Sequence, residues 1–102
     1  MKRIIQGKVY NTDTATRIGS HVRYNRGDFQ FEDTDLYKTQ KGAWFICGEG
    51  GPYSRWSREI SSNGLSGGSG IEAMTTGEAL AWCEDAGIDA DVIAQYFSVV
   101  EA

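Results

Sequence analysis

Near the middle of the chain, Trp44-Phe45-Ile46-Cys47 follow one another with no polar residue between them. A strand with one face in water alternates apolar and polar side chains, so an unbroken apolar run marks a central strand covered on both faces. The run is entered through Lys41-Gly42, a glycine-containing pair between two β-rich segments, and this reads as a tight hairpin with the preceding DLYKT. Any fold for the chain has to be built around that hairpin.

Upstream, residues 3–10 (RIIQGKVY) read as one strand, with β-branched and aromatic residues around Gly7. Residues 13–18 read as one or two helical turns, capped by Thr12 or Asp13, ended by Gly19, with Ala15 and Ile18 inward. In DFQFED, Phe29 and Phe31 alternate with Gln30 and Glu32, the period of a half-buried strand. Downstream, residues 48–70 are rich in glycine and serine and hold the only proline, so they read as a long irregular loop. IEAM at 71–74 is a short last strand. Thr75 and Glu78 then form a capping box, and the helix behind them stops at Gly87 with Ala79, Leu80, Trp82 and Cys83 on its apolar face. Asp89 caps a second helix, with Ile88 and Ile93 as a hydrophobic staple and Val92, Ile93, Tyr96 and Phe97 on its buried side. The fold class is α+β: one domain over 1–102, an antiparallel sheet of three to four strands with two C-terminal helices packed on one face.

Composition narrows the function. No stretch approaches the roughly eighteen apolar residues that span a bilayer, and the basic start lacks the apolar core of a signal peptide. A cytoplasmic protein with no membrane contact is expected, with Cys47 and Cys83 as reduced thiols. Two cysteines and one histidine are too few for a typical zinc site, so neither metal nor cofactor is expected. All ten Lys and Arg lie within residues 1–58, which carry +4, whereas residues 59–102 hold eight acids and no Lys or Arg. A dipolar chain of this kind fits a basic partner for its C-terminal part.

The glycine-rich stretches GEGG (48–51) and SGGSG (66–70) lack the following lysine and the long helix of a phosphate loop, so they read as turns. Glu32, Asp33 and Asp35 are the densest acids and read as a solvated bend rather than a catalytic pair. His21 is the only histidine, and nothing in the spacing gives it triad partners. Cys47 reads as a core thiol. No enzymatic activity is expected. Arg17, Arg23, Tyr24, Arg26, Phe29 and Lys38 interleave cations with aromatics, which supports a nucleic-acid-binding regulator as the alternative reading. The segment PYSRWSR brings together Tyr53, Arg55 and Trp56, residue types that anchor protein interfaces, although Trp56 also fits a lid folded back on the sheet. With the acids Glu72, Glu78, Glu84, Asp85, Asp89 and Asp91 they make up the expected partner-binding set.

KRIIQGKVYNTDTATRIGS, LYKTQKGAWFICGEGGPYSRW and SGGSGIEAMTTGEALAWCEDAG resemble small hypothetical proteins of phages, plasmids and other mobile bacterial elements. The resemblance covers most of the chain and carries no catalytic residues. It implies a context in which proteins of this size act by binding, including inhibitors of host defence such as anti-CRISPR proteins. On that reading the partner is a protein, a bacterial defence complex, and the acidic surface occupies a nucleic-acid channel.

Overall fold

The computed structural model describes residues 1–62 and 64–102. In chain order these form β1 (Lys2–Ile5), β2 (Lys8–Asn11), β3 (Thr16–Arg23), β4 (Glu32–Lys38), β5 (Trp44–Gly50), β6 (Arg58–Ser61), β7 (Gly64–Ser66), β8 (Gly68–Met74), α1 (Thr76–Ala86) and α2 (Ala90–Tyr96). The main sheet is antiparallel with strand order β3-β4-β5-β8. The fold is α+β, as the sequence patterning predicts.

The β4–β5 hairpin is the middle of that sheet, and its turn is fixed at Gly42, whose φ of +90° suits a residue without a side chain. Phe45 and Ile46 are adjacent in the chain, point to opposite faces, and both show 0 % exposure. Both faces are therefore covered. On one face Leu36, Trp44 and Ile46 pack against Ala79 and Cys83 of α1 and against Phe97, which follows α2. Phe97 stacks on Trp44 with ring centroids 4.6 Å apart. On the other face Phe45 and Ile71 meet Tyr10, and Phe45 lies between the rings of Tyr10 and Tyr37 at 5.5 and 5.2 Å.

The layer over that second face corrects the reading of residues 3–10 as one strand. They form the β1–β2 hairpin, which turns at Gln6-Gly7 with φ values of +51° and +78°. Two consecutive positive φ values are the backbone of a two-residue hairpin loop, here with glutamine where asparagine or glycine is usual. Residues 13–18 are not helical either. The carbonyl of Asn11 accepts from the N–H groups of Thr14 and Ala15, closing a turn, and the chain then extends as β3. Ala15 and Ile18 do turn inward, but to opposite layers: Ala15 beside Tyr10 and Phe45, Ile18 beside the helices.

Two further segments differ from expectation. Phe29 and Phe31 lie in a turn ahead of β4, where Phe31 is buried and Phe29 is 63 % exposed. Residues 48–70 are not an irregular loop: β5 runs to Gly50, β6 and β7 pair, and β8 begins at Gly68, while residue 63 lies outside the described residues.

The helices form where their end signals place them. Thr75 accepts from the N–H of Glu78 at 3.1 Å and Glu78 accepts from that of Thr75 at 2.9 Å, the reciprocal capping box. At the other end Gly87 sits at φ +70°, and the N–H groups of Gly87 and Ile88 return to the carbonyls of Glu84 and Cys83. Asp89 caps α2 by accepting from the N–H of Asp91 at 2.8 Å. Among the described residues no helix is long and apolar enough to cross a membrane.

Candidate interaction surface

The glycines of 48–70 have a use other than turning the chain. Thr34, Gly48 and Gly70 lie opposite one another across β4, β5 and β8, on the face that carries the helices. A Cβ on Gly48 would lie 2.5 Å from the indole nitrogen of Trp56, and one on Gly70 would touch its ring at 3.5 Å. The two glycines thus leave a flat seat in the sheet, and the indole fills it. Its N–H donates to the hydroxyl of Thr34 at 2.9 Å, inside a site where Trp56 is 6 % exposed. Trp56 is a lid on the sheet and not a surface anchor, which corrects its place in the partner-binding set. One row further on, a Cβ at Gly68 would meet the carbonyl of Trp56 at 2.6 Å, so the same absence of side chains admits the segment that carries the lid.

Fixing Trp56 presents its neighbours. The guanidinium of Arg55 donates to Glu72 at 3.1 Å and lies 5.9 Å from the Trp56 ring. Glu72 is therefore already paired within the chain. Tyr53 is 64 % exposed, and its ring meets that of Phe29 edge to face, with centroids 5.6 Å apart and an interplanar angle of 89°. The N–H of Tyr53 bonds the carbonyl of Phe29 at 2.8 Å, so the backbone holds the aromatic pair together. Two large exposed rings side by side form an apolar surface patch that a period-two reading of DFQFED hides. The available signal was Gly27 just ahead of it, which takes φ +100° and turns the chain before the strand begins.

The remaining acids divide by role. The Glu78 carboxyl is held below its ordinary pKa, chiefly by the backbone hydrogen bond from Thr75, so it is engaged in capping. Glu84 and Asp85 are exposed in the last turn of α1, and Asp89 and Asp91 are exposed at the start of α2, on either side of Gly87. The three ion pairs among the described residues, Arg17–Asp35, Arg26–Glu49 and Arg55–Glu72, include none of these four. Residues 75–102 contain six acids and no Lys, Arg or His to offset them. Asp89 and Asp91 suit the positive end of the α2 dipole, but Glu84 and Asp85 stand at the negative end of α1, where carboxylates are unfavourable.

The basic front does not assemble into one patch. Arg17 pairs with Asp35, Arg26 pairs with Glu49 and lies over Phe31 at 4.8 Å, and Lys38 lies over Trp44 and Tyr96 on the helix face. Of Arg17, Arg23, Tyr24, Arg26, Phe29 and Lys38, only Arg23 and Tyr24 stay exposed without such partners among the described residues. For covalent chemistry the groups present are poorly set. Burial raises the pKa of both thiols, Cys83 being fully enclosed, and the nucleophilic thiolate is disfavoured accordingly. His21 lines neither of the two cavities described below, and no group of three or more His, Cys, Asp or Glu able to hold a metal occurs among the described residues. Compared with family models, curated proteins and solved structures, the chain matches none of them.

Proposed function

We propose that the chain is a non-enzymatic binding protein that engages a basic protein surface through the α1–α2 corner. The observation that carries this reading is the placement of Glu84 and Asp85. Two exposed carboxylates at the negative end of a helix, joined across Gly87 by Asp89 and Asp91 and with no cation nearby in sequence, destabilise the free protein. A locally unfavourable choice with no compensating contact inside the fold is the mark of a site kept for a partner. The exposed Tyr53–Phe29 pair supplies aromatic residues of the kind that anchor interfaces.

The partner we infer is a bacterial defence complex of the nucleic-acid-guided type, whose channel is lined with positive charge for a phosphate backbone. The chain acts there as an inhibitor, its carboxylates taking the place of phosphates. Direct nucleic-acid binding through the basic front is the weaker alternative, because Arg17, Arg26 and Lys38 are engaged elsewhere. The test is competition: a guided effector is titrated with labelled target DNA in the presence of the protein and of a variant carrying Glu84→Gln, Asp85→Asn, Asp89→Asn and Asp91→Asn. Asparagine keeps the α2 cap, so folding is preserved. The native chain should displace DNA and the variant should do so at least roughly tenfold less well, on the scale of a lost charge-assisted contact. Equal displacement by both would remove the acidic corner from the mechanism, and a gel shift of nucleic acid by the protein alone would favour the alternative.

A further inference from the structure

On the face of the sheet away from the helices, the turn of the β1–β2 hairpin and the turn joining β4 to β5 flank a cavity of about 620 Å³. Lys8 lines it from the hairpin and Lys41 from the turn, with Tyr10, Thr14 and Gln40 between them. The pairing register explains the position of Lys8. It shares one side of the hairpin with Tyr10, whose ring packs on Phe45, so that side is the one turned to the sheet.

The chemistry of the lining is one-sided. No Asp or Glu borders the cavity, and neither Lys8 nor Lys41 enters an ion pair among the described residues. Tyr10 is 8 % exposed, yet its hydroxyl has no partner within the described residues and is not a buried orphan. The hydroxyl therefore keeps some access to solvent, and Tyr10 borders the cavity. Two ammonium groups, a phenol and the Gln40 amide supply donors with no competing carboxylate, which is the donor set for an anion. The space is far larger than an inorganic ion needs and falls within the range of small-molecule sites. Ala43 and the Tyr10 ring provide apolar wall.

We propose that this cavity binds an organic phosphate of nucleotide size, its phosphoryl group between Lys8 and Lys41 and its organic part against Tyr10 and Ala43. The second cavity, about 510 Å³, lacks the same character: its Arg26 is paired with Glu49 at 2.9 Å and Asp28 stands on its wall. The proposed site uses none of the residues of the acidic corner, so either reading can fail alone.

The experiment is an amide-resolved NMR titration of the full chain with AMP, with adenosine and with pyrophosphate. AMP and pyrophosphate should shift the amides of Lys8, Tyr10 and residues 39–43, and adenosine should not. The double variant Lys8→Gln/Lys41→Gln should bind AMP roughly tenfold more weakly or worse, as expected for losing charge-assisted hydrogen bonds. Gln40→Glu, which places a carboxylate in the lining, should weaken it as well. The control Lys2→Gln/Arg23→Gln removes the same charge outside the cavity and should leave binding unchanged. The proposal is overturned by no response at millimolar AMP, by adenosine matching AMP, by undiminished affinity in the Lys8/Lys41 variant, or by an equal loss in the control.

Discussion

Trp56 and Thr34 show how one side chain settles the meaning of several others. The indole needs a seat without side chains, which Gly48 and Gly70 provide, and a partner for its N–H, which Thr34 provides. Truncating Trp56 to Ala removes a nearly enclosed ring and should cost about 3–5 kcal/mol, a large part of the stability of a domain this size. Thr34→Val keeps the shape but removes the acceptor of the indole N–H together with the hydroxyl's own bond to Glu32 at 3.3 Å, so it should cost about 1–3 kcal/mol, chiefly for the orphaned indole N–H. Urea melts of the two variants check this. A Trp56→Ala midpoint near that of the native chain would return the indole to the surface. The sequence leaves Trp56 open between an interface anchor and a lid, since it sits in a run too aromatic and basic to be a linker. It hides the seat, because glycines read as bends when the residue packed over them is far along the chain.

At the level of elements, legibility follows the range of the forces involved. Helix α1 was readable because its ends are set by neighbours: Thr75 with Glu78, and Gly87 with the carbonyls a turn back. The β4–β5 hairpin was readable for the same reason. The β1–β2 hairpin was not, because Gln6 is a poor signal for a positive φ and Gly7 alone does not announce a turn. Residues 13–18 carry helix caps that lose to strand pairing with β4, a tertiary override of a weak local preference. The β5 and β8 glycines run against strand propensity and are tolerated for the ring they seat. Of the candidate site, the four corner acids were legible from charge alone, whereas the Phe29–Tyr53 pair depends on a turn that the phenylalanine spacing masks.

Two predictions belong to the helices. Charge reversal at the end of α1, Glu84→Lys with Asp85→Lys, should raise stability by about 0.3–1 kcal/mol per site through the helix dipole while reducing partner binding. Thermal melts and the DNA competition assay on the same protein should therefore move in opposite directions. If both fall together, the acids are structural. The second concerns Glu78. Its folded pKa is depressed below the ordinary 4.5, so its contribution is present above that pH and is lost as pH falls through the folded value. Glu78→Gln should flatten the acid limb of the stability profile in that window and leave the neutral region little changed in slope.

Across the whole molecule, charge is sorted more sharply in space than its net value of −4 conveys. The helices and the tail behind them carry only acids, while Lys8 and Lys41 flank a cavity on the opposite face of the sheet. Repulsion within the acidic corner is screened by salt over a Debye length of about 10 Å at 0.1 M. The thermal midpoint should therefore rise on going from low to moderate ionic strength, and rise less in the variant neutralised at Glu84, Asp85, Asp89 and Asp91. An identical salt response in both proteins would place the repulsion elsewhere.

The bond from Arg3 to the carbonyl of Ile71, at 2.7 Å, joins residues 68 positions apart. Along the chain the hairpin that covers Phe45 precedes every strand of the main sheet, yet the strand that completes its bed, β8, follows all the others. At about 5–20 residues per second, the stretch from Phe45 to Ile71 emerges over a time on the order of seconds. Through that interval one side of the central strand has no complete cover. Deleting residues 1–11 and deleting β8 should thus produce the same defect from opposite directions: an aromatic sheet face left wet.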